Sequence, residues 1–181
     1  IDIREFDVAD YRRRFGLVLQ DLFLFPAPIA ENLRAFRSEV TQQDLEEAAN
    51  LTDIHTSILN RSDGYATVLK ESGEGFSYGQ RQLIAFARAL AVKPQVLVLD
   101  EATSSVDPGT ELRIQATMKK LTEGRTSFIV AHRLSTIRRA TSIIFVKAGE
   151  ITESGNHDEL IRQKGSYFDL LSHVDPEKEM L

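Results

Sequence analysis

The apolar run Val96-Leu97-Val98-Leu99 ends in two adjacent carboxylic acids, Asp100 and Glu101. A continuous apolar stretch with no alternation is what a strand covered on both faces of a parallel sheet requires. Ligands of such sheets bind beyond the carboxyl ends of the strands, where a phosphate and its metal would meet this acid pair. The two acids can divide the chemistry: Asp100 can hold Mg2+ through its water shell, while Glu101 can polarise an attacking water. An acid pair after a strand also serves simply to cap the next turn, and the pair alone does not decide between these uses.

Ser77-Tyr78-Gly79-Gln80 leads into a second candidate. The residues that follow, Gln80 to Ala91, carry Leu83, Ile84, Ala87 and Leu90 at spacings of three and four, the pattern of an amphipathic helix. The start of a helix offers free backbone N–H groups and a positive dipole end, and Ser and Gly let a polyanion come close. Capping of the helix by Ser77 is the commoner use of a serine there. His132 follows the apolar run Phe128 to Val130, where an imidazole could donate to a phosphate oxygen or orient the acid that polarises water. Gln20, after the run Phe15 to Leu19, could bind a metal or a water. His55, His157 and His173 read as surface or packed residues.

The elements that must position these residues alternate between strand and helix. Phe15 to Leu19 reads as a strand and is followed by the loop-like Leu24 to Pro28. Ile29 to about Gly75 is helical and mixed, with helices over Ile29 to Phe36 and Thr41 to Asn50, Thr41 as N-cap, and a glycine-bearing loop from Ser62 to Gly75. Pro94 breaks the helix that ends at Ala91. Asp107-Pro108 starts another, which runs to about Leu121. Ser127 to Val130 and Ser142 to Val146 predict two more buried strands, and helices near Asp158 to Gln163 and Ser166 to Ser172 close the chain. Ile1 to Arg4 reads as the tail of an edge strand. The order argues for an α/β core with a mainly parallel sheet and an inserted helical subdomain.

Composition limits the partners. Acidic residues outnumber basic ones, 27 to 22, and no basic stripe carries interleaved aromatics, so nucleic acid is not expected as a partner. The run Arg12-Arg13-Arg14 reads as a solvated face. No cysteine is present, which removes disulfides and thiolate metal sites. No apolar stretch approaches the roughly 20 residues that cross a bilayer.

Read together, Val18-Leu19-Gln20-Asp21, Phe76 to Gln82, Val96 to Asp107 and Ala131-His132-Arg133-Leu134 resemble the motif series of the ATP-binding-cassette (ABC) family in its order: Q-loop, signature, Walker B strand with D-loop, and H-loop. The resemblance extends over nearly the whole chain, including the tail from Gly149 to Leu160. It implies a P-loop NTPase-like (RecA-like) core, divided as residues 1–23 with the Q-loop, 24–93 as the helical subdomain with the signature, and 94–181 with Walker B, D-loop and H-loop. It further implies ATP and Mg2+ as ligands. Gln20 and Asp100 would contact Mg2+, Glu101 would be the general base, and His132 would touch the γ-phosphate. Ser77, Gly79 and Gln80 would face ATP held by the opposite subunit, with Asp107 at the dimer seam. Thr67 to Gly73, and Asp21 to Phe25 with Glu31-Asn32-Leu33, resemble the exporter branch. The implied setting is the cytoplasmic face of a membrane, with a transmembrane domain and a second nucleotide-binding domain as partners. A soluble cassette ATPase acting on nucleic acid or ribosomes is a competing reading, which the exporter-like loop disfavours.

Two departures from the family pattern stand out. Phe76 and Tyr78 occupy signature positions where Leu and Gly are usual, so a backbone needing positive φ at Tyr78 would be strained. The phosphate loop Gly-x-x-x-x-Gly-Lys-Ser/Thr is absent from the 181 residues, and with it the N–H cradle and the lysine charge. Ile1 aligns downstream of that loop and of the aromatic residue that stacks on adenine. The expectation is therefore truncation before Ile1, with the N-terminal strands and Walker A helix absent and no ATP hydrolysis by this chain alone. A non-enzymatic fragment or split half, donating the signature and D-loop to a partner's ATP site, is the alternative.

Overall fold

Apolar residues at Phe15–Val18 (β1), Val96–Asp100 (β2) and Thr126–Val130 (β3) build a three-stranded parallel sheet in the order β1-β2-β3. The computed structural model describes residues 2–70, 73, 75–100, 107–131 and 133–173. Glu101 and His132 thus lie outside the described residues, as do Ile1, Glu71, Ser72, Glu74 and residues 102–106 and 174–181. The chain divides into two units, residues 1–130 and 131–181.

In the first unit a short helix α1 (Val8–Arg13) precedes β1, and the crossover from β1 to β2 is helical: α2 (Ile29–Arg34), α3 (Gln42–Leu51), α4 (His55–Leu59) and α5 (Tyr78–Ala91). Local chemistry explains most of their boundaries. Thr41 starts α3 through a reciprocal capping box with Asp44, Oγ1 accepting from the Asp44 amide at 3.2 Å and the Thr41 amide donating to Oδ2 at 2.9 Å. The Lys93 ammonium, 2.6 Å from Asp44 Oδ1, and the Thr41 hydroxyl hold that carboxyl well below the usual range. Asp107 starts α6 (Pro108–Thr122), with proline at the first helical position.

The core gathers Leu83, Ile84, Phe86, Ala87 and Leu90 of α5, Leu45 and Ala49 of α3, Leu97 and Leu99 of β2, and Ile114, Met118 and Leu121 of α6. Gly16 marks a close approach of backbone within it. A Cβ there would come within 2.7 Å of the Ala89 carbonyl oxygen and 2.9 Å of Leu97 Cδ2 and Pro94 Cγ.

The second unit holds α7 (Leu134–Arg138), an antiparallel hairpin of β4 (Ile143–Lys147) and β5 (Glu150–Gly155), then α8 (His157–Gln163) and α9 (Ser166–His173). Ala148 and Gly149, both at positive φ, supply the two-residue hairpin turn. His157 Nδ1 and the buried Tyr167 hydroxyl lie 2.7 Å apart, and the ring of Tyr167 meets Phe145 edge-on.

Three expectations need correction. Ile3–Glu5 is a single 3-10 turn rather than the tail of a strand, because the Asp2 carboxylate accepts from the Arg4 amide at 2.9 Å and pairs with its guanidinium. Such local bonds compete with extended backbone. The strands are buried on one face only: Leu97 and Leu99 are covered by helix, whereas Leu17, Leu19, Phe128 and Val130, which point the other way, are more than half exposed. Likewise β4 is half of a hairpin and not a buried strand, with Ile144 and Val146 exposed and Phe145 turned inward.

The contact at Gly16 generates a first prediction. Gly16→Ala should destabilise the protein by about 1–3 kcal/mol, the usual cost of forcing a methyl into a packed core, as read by chemical denaturation. An unchanged denaturation midpoint would contradict the close approach of α5 to β1.

Candidate functional site

The parallel register brings two of the polar candidates to the same end of the sheet. Val18 pairs with Leu99, so Gln20 and Asp100 leave the carboxyl ends of adjacent strands, which run about 4.8 Å apart. Gln20 is exposed, and Asp100 is half-buried as the last residue of β2. Beyond β1 a pocket of about 110 Å³ is lined by residues that include Leu17, Leu19, Asp21, Phe23, Ala85 and Arg88. A side-chain amide and a carboxylate at one sheet end can share a cation whose remaining ligands are phosphate oxygens and water. Mg2+ is commonly held by one or two carboxylates in that way. Among the described residues no group of three His, Cys, Asp or Glu is arranged to hold a metal.

Ser77 to Gln80 form the start of α5. Ser77 Oγ accepts from the Gln80 amide at 3.2 Å, and Gln80 Oε1 accepts from the Ser77 amide at 3.0 Å. Ser77 thus does cap the helix, and the side chain of Gln80 is committed to the same cap. Gly79 is buried within the first turn, with Tyr78 half-buried beside it. Tyr78 has helical backbone and is not among the positive-φ residues, so its side chain causes no strain. Its ring lies 5.7 Å from the Arg81 guanidinium carbon. Phe76 is also accommodated: it is buried, with the Arg61 guanidinium 4.2 Å above its ring and donating to the Gly75 carbonyl.

Helix α5 runs from this start to Ala89 beside β1, about 18 Å away. The structure therefore sets Ser77 and Gly79 far out along α5, while Gln20 and Asp100 lie at the carboxyl end of the sheet. Asp107 caps α6, accepting from the Thr110 amide at 3.0 Å. Thr110's side chain and amide hold its carboxyl below the ordinary range, so this cap persists at neutral pH and is lost as pH falls through the lowered pKa.

A family profile described as ABC transporter matches residues 1–104. The chain belongs to the ABC transporter family. Among curated relatives, the uncharacterized ABC transporter ATP-binding protein YfiC of Bacillus subtilis (strain 168) is 50% identical over 169 residues, 93% of this chain and 28% of that protein. The fatty acid ABC transporter ATP-binding/permease protein of Mycobacterium bovis (strain ATCC BAA-935 / AF2122/97) is 45% identical over 170 residues, 94% of this chain and 27% of that protein. The solved structure of a bacterial Atm1-family ABC exporter with ATP bound superposes with a TM-score of 0.83 at 33% identity, over 97% of this chain and 31% of that one. The chain thus spans under a third of each of these relatives. Its fold is the α/β, P-loop NTPase-like fold of an ABC nucleotide-binding domain, and no helix among the described residues is long and apolar enough to cross a membrane.

Within this family fold, the loop from Asp21 to Pro28 and the loop that begins at Thr67 are joined. The Ile29 amide donates to the Thr67 carbonyl and the Leu69 amide to the Ala27 carbonyl, each at 3.0 Å. Gly73, at φ +72°, ends the second loop against Leu24 and Arg81. Two further participants had no role assigned from the sequence, although Asn32 belongs to the exporter-like Glu31-Asn32-Leu33. Asn32 is fully buried beneath these loops, and Arg88 reaches them from α5. The only sequence signal for Arg88 is a polar residue on an otherwise apolar helix face.

The double use of Ser77 can be separated experimentally. Ser77→Ala should cost about 1 kcal/mol of stability, the usual value of a helix cap. Ser77→Asp should keep the cap and the melting temperature, yet weaken nucleotide-dependent pairing of domains by placing a negative charge where an anion would approach. Equal pairing of the wild type and Ser77→Asp, measured by size-exclusion chromatography with Mg-ATP, would leave Ser77 with capping alone.

Proposed function

We propose that this chain is the ATP-binding and ATP-hydrolysing part of an ABC exporter, working at the cytoplasmic face of a membrane and coupling hydrolysis to transport. The observation that carries the reading is the arrangement of Gln20 and Asp100 at the carboxyl ends of adjacent parallel strands, with Asp100 leading into Glu101. Residues 1–23, 24–93 and 94–181 would act as the Q-loop part of the core, the helical subdomain with the signature, and the part of the core with Walker B and the D-loop. Asp100 and Gln20 would hold Mg2+, which neutralises charge on the β- and γ-phosphate oxygens.

The rest of the chemistry falls to side chains of this chain. Glu101 would accept a proton from, and orient, the water in line with the γ-phosphorus, and His132 would donate to a γ-phosphate oxygen. Ser77 and the Gly79 amide, at the positive end of α5, would meet the γ-phosphate of ATP bound by a second nucleotide-binding domain, with Asp107 at the seam. Most of the catalysis would be positioning and electrostatic stabilisation of the transferred group. The partners are accordingly a transmembrane domain and a second nucleotide-binding domain.

The 181 residues contain no Gly-x-x-x-x-Gly-Lys-Ser/Thr segment, which favours a second reading for the chain by itself: it donates Ser77, Gly79 and Asp107 to an ATP site whose phosphate cradle lies on other residues. Titration of the isolated chain with Mg-ATP separates the two, micromolar binding being the outcome that contradicts the need for the cradle. In the full-length protein Glu101→Gln should lower kcat by about 100-fold or more, as loss of a general base does. Undiminished hydrolysis would remove Glu101 from the reaction. Tyr78→Gly should change the rate by less than about 10-fold, or 1.4 kcal/mol, because Tyr78 already has helical backbone.

A further inference from the structure

The Arg88 guanidinium binds three acceptors, none of which is a carboxylate. Nε donates to the Asn32 carbonyl at 2.8 Å, Nη1 to the Phe23 carbonyl at 2.8 Å, and Nη2 to Asn32 Oδ1 at 2.9 Å. No acid among the described residues pairs with it, and burial pushes its pKa down. Phe25 covers the guanidinium, with its ring centroid 5.5 Å from Cζ, and is itself edge-packed by Phe23 and Phe36. A half-buried cation spent on neutral carbonyls adds little net stability. What it supplies is geometry, since the planar fork fixes three acceptors at once in a way that a lysine cannot.

Asn32 completes the arrangement. Its Oδ1 also accepts from the Phe25 amide at 2.8 Å, while Nδ2 donates to the carbonyls of Phe25 at 3.0 Å, Ala27 at 3.2 Å and Pro28 at 3.3 Å. Both its donor and its acceptor are in use, so isosteric Asp would set a carboxylate against three carbonyl oxygens. The loop carrying Gln20 is thereby tied to α5 at Arg88, nine residues or about 14 Å along the helix from Gly79. Phe23, the first point of attachment, is three residues from Gln20.

We propose that Asn32 and Arg88 form a clamp that makes the Gln20 loop and the α5 helix, with Ser77 and Gly79 at its start, move as one body. Arg88 is then a positioning residue for both nucleotide-facing segments. The functional part of this inference rests on the ATPase reading above, whereas the mechanical part does not.

The test uses the full-length protein in a background without other cysteines, with spin labels at Asp21→Cys in the loop and at Gln43→Cys on α3, which packs in one core with α5, both exposed positions. Arg88→Lys keeps the charge and loses the fork. It should broaden the label-to-label distance distribution measured by pulsed electron resonance without nucleotide, and lower kcat for Mg-ATP about 10-fold while KM changes less than about 3-fold. Asn32→Asp should do the same. A distribution as narrow as the wild type's in a folded Arg88→Lys protein overturns the clamp, and so does failure of both variants to fold, which would leave a purely structural role. If the wild type hydrolyses no ATP, the ATPase reading falls alone, because the distance measurement still reads the clamp.

Discussion

Small side chains on α5 let it sink into the centre of residues 2–130. Ala85, Ala87, Ala89 and Ala91 bring the helix backbone close to its neighbours, and at Gly16 the strand removes its own side chain to meet it. Because ten of the helix's 14 residues are buried, α2, α3, α6 and the sheet are all arranged around it. Burial on this scale, at about 25 cal/mol per Å² of apolar surface, is the principal force holding the unit together. A rigid central helix also carries position over distance: its start bears Ser77 and Gly79, and its last turn bears Arg88 and abuts β1.

Polar groups inside this apolar surround act as organisers of irregular backbone. The loop from Asp21 to Pro28 has no strand or helix to satisfy its amides and carbonyls, and a buried backbone group without a partner is costly. Asn32 supplies both donors and acceptors to it from below, and Arg88 adds donors from the side. The loop that follows Ala66 is tied to the same place through Ala27 and Ile29. Segments distant in sequence thus converge on one buried asparagine, and Phe23 remains exposed above them.

Capping accounts for the polar residues at the functional ends of the helices without exhausting their use. Ser77 with Gln80 and Asp107 with Thr110 each satisfy amides that begin a helix. The same free amides and dipole make a helix start receptive to an anion. On the proposed reading, structure and recognition draw on the same residues. This shared use explains why the residue types at Ser77 and Asp107 cannot by themselves tell the two roles apart.

The elements governed by local rules were legible in the sequence. Apolar runs marked β1 and β2, and the caps Thr41, Ser77 and Asp107 act on amides within three residues, so short-range chemistry sets those helix starts. The order of the motifs around Gln20, Ser77 and Asp100 likewise identified the family. Other features depended on neighbours supplied by the fold. Leu17 and Phe128 are as apolar as Leu97, yet they face solvent, because strand alternation turns them away from the helical layer. The pairing of β4 with β5 is set by a turn whose two residues both need positive φ, and an alanine in the first of them gives little warning. The placement of Gln20 and Asp100 at the same end of the sheet came from strand register, and the convergence of Asn32 and Arg88 under one loop came from helix packing. Composition and spacing act over a few residues, whereas a hydrogen bond across 56 positions, such as Arg88 to Asn32, exists only once the chain has folded back on itself.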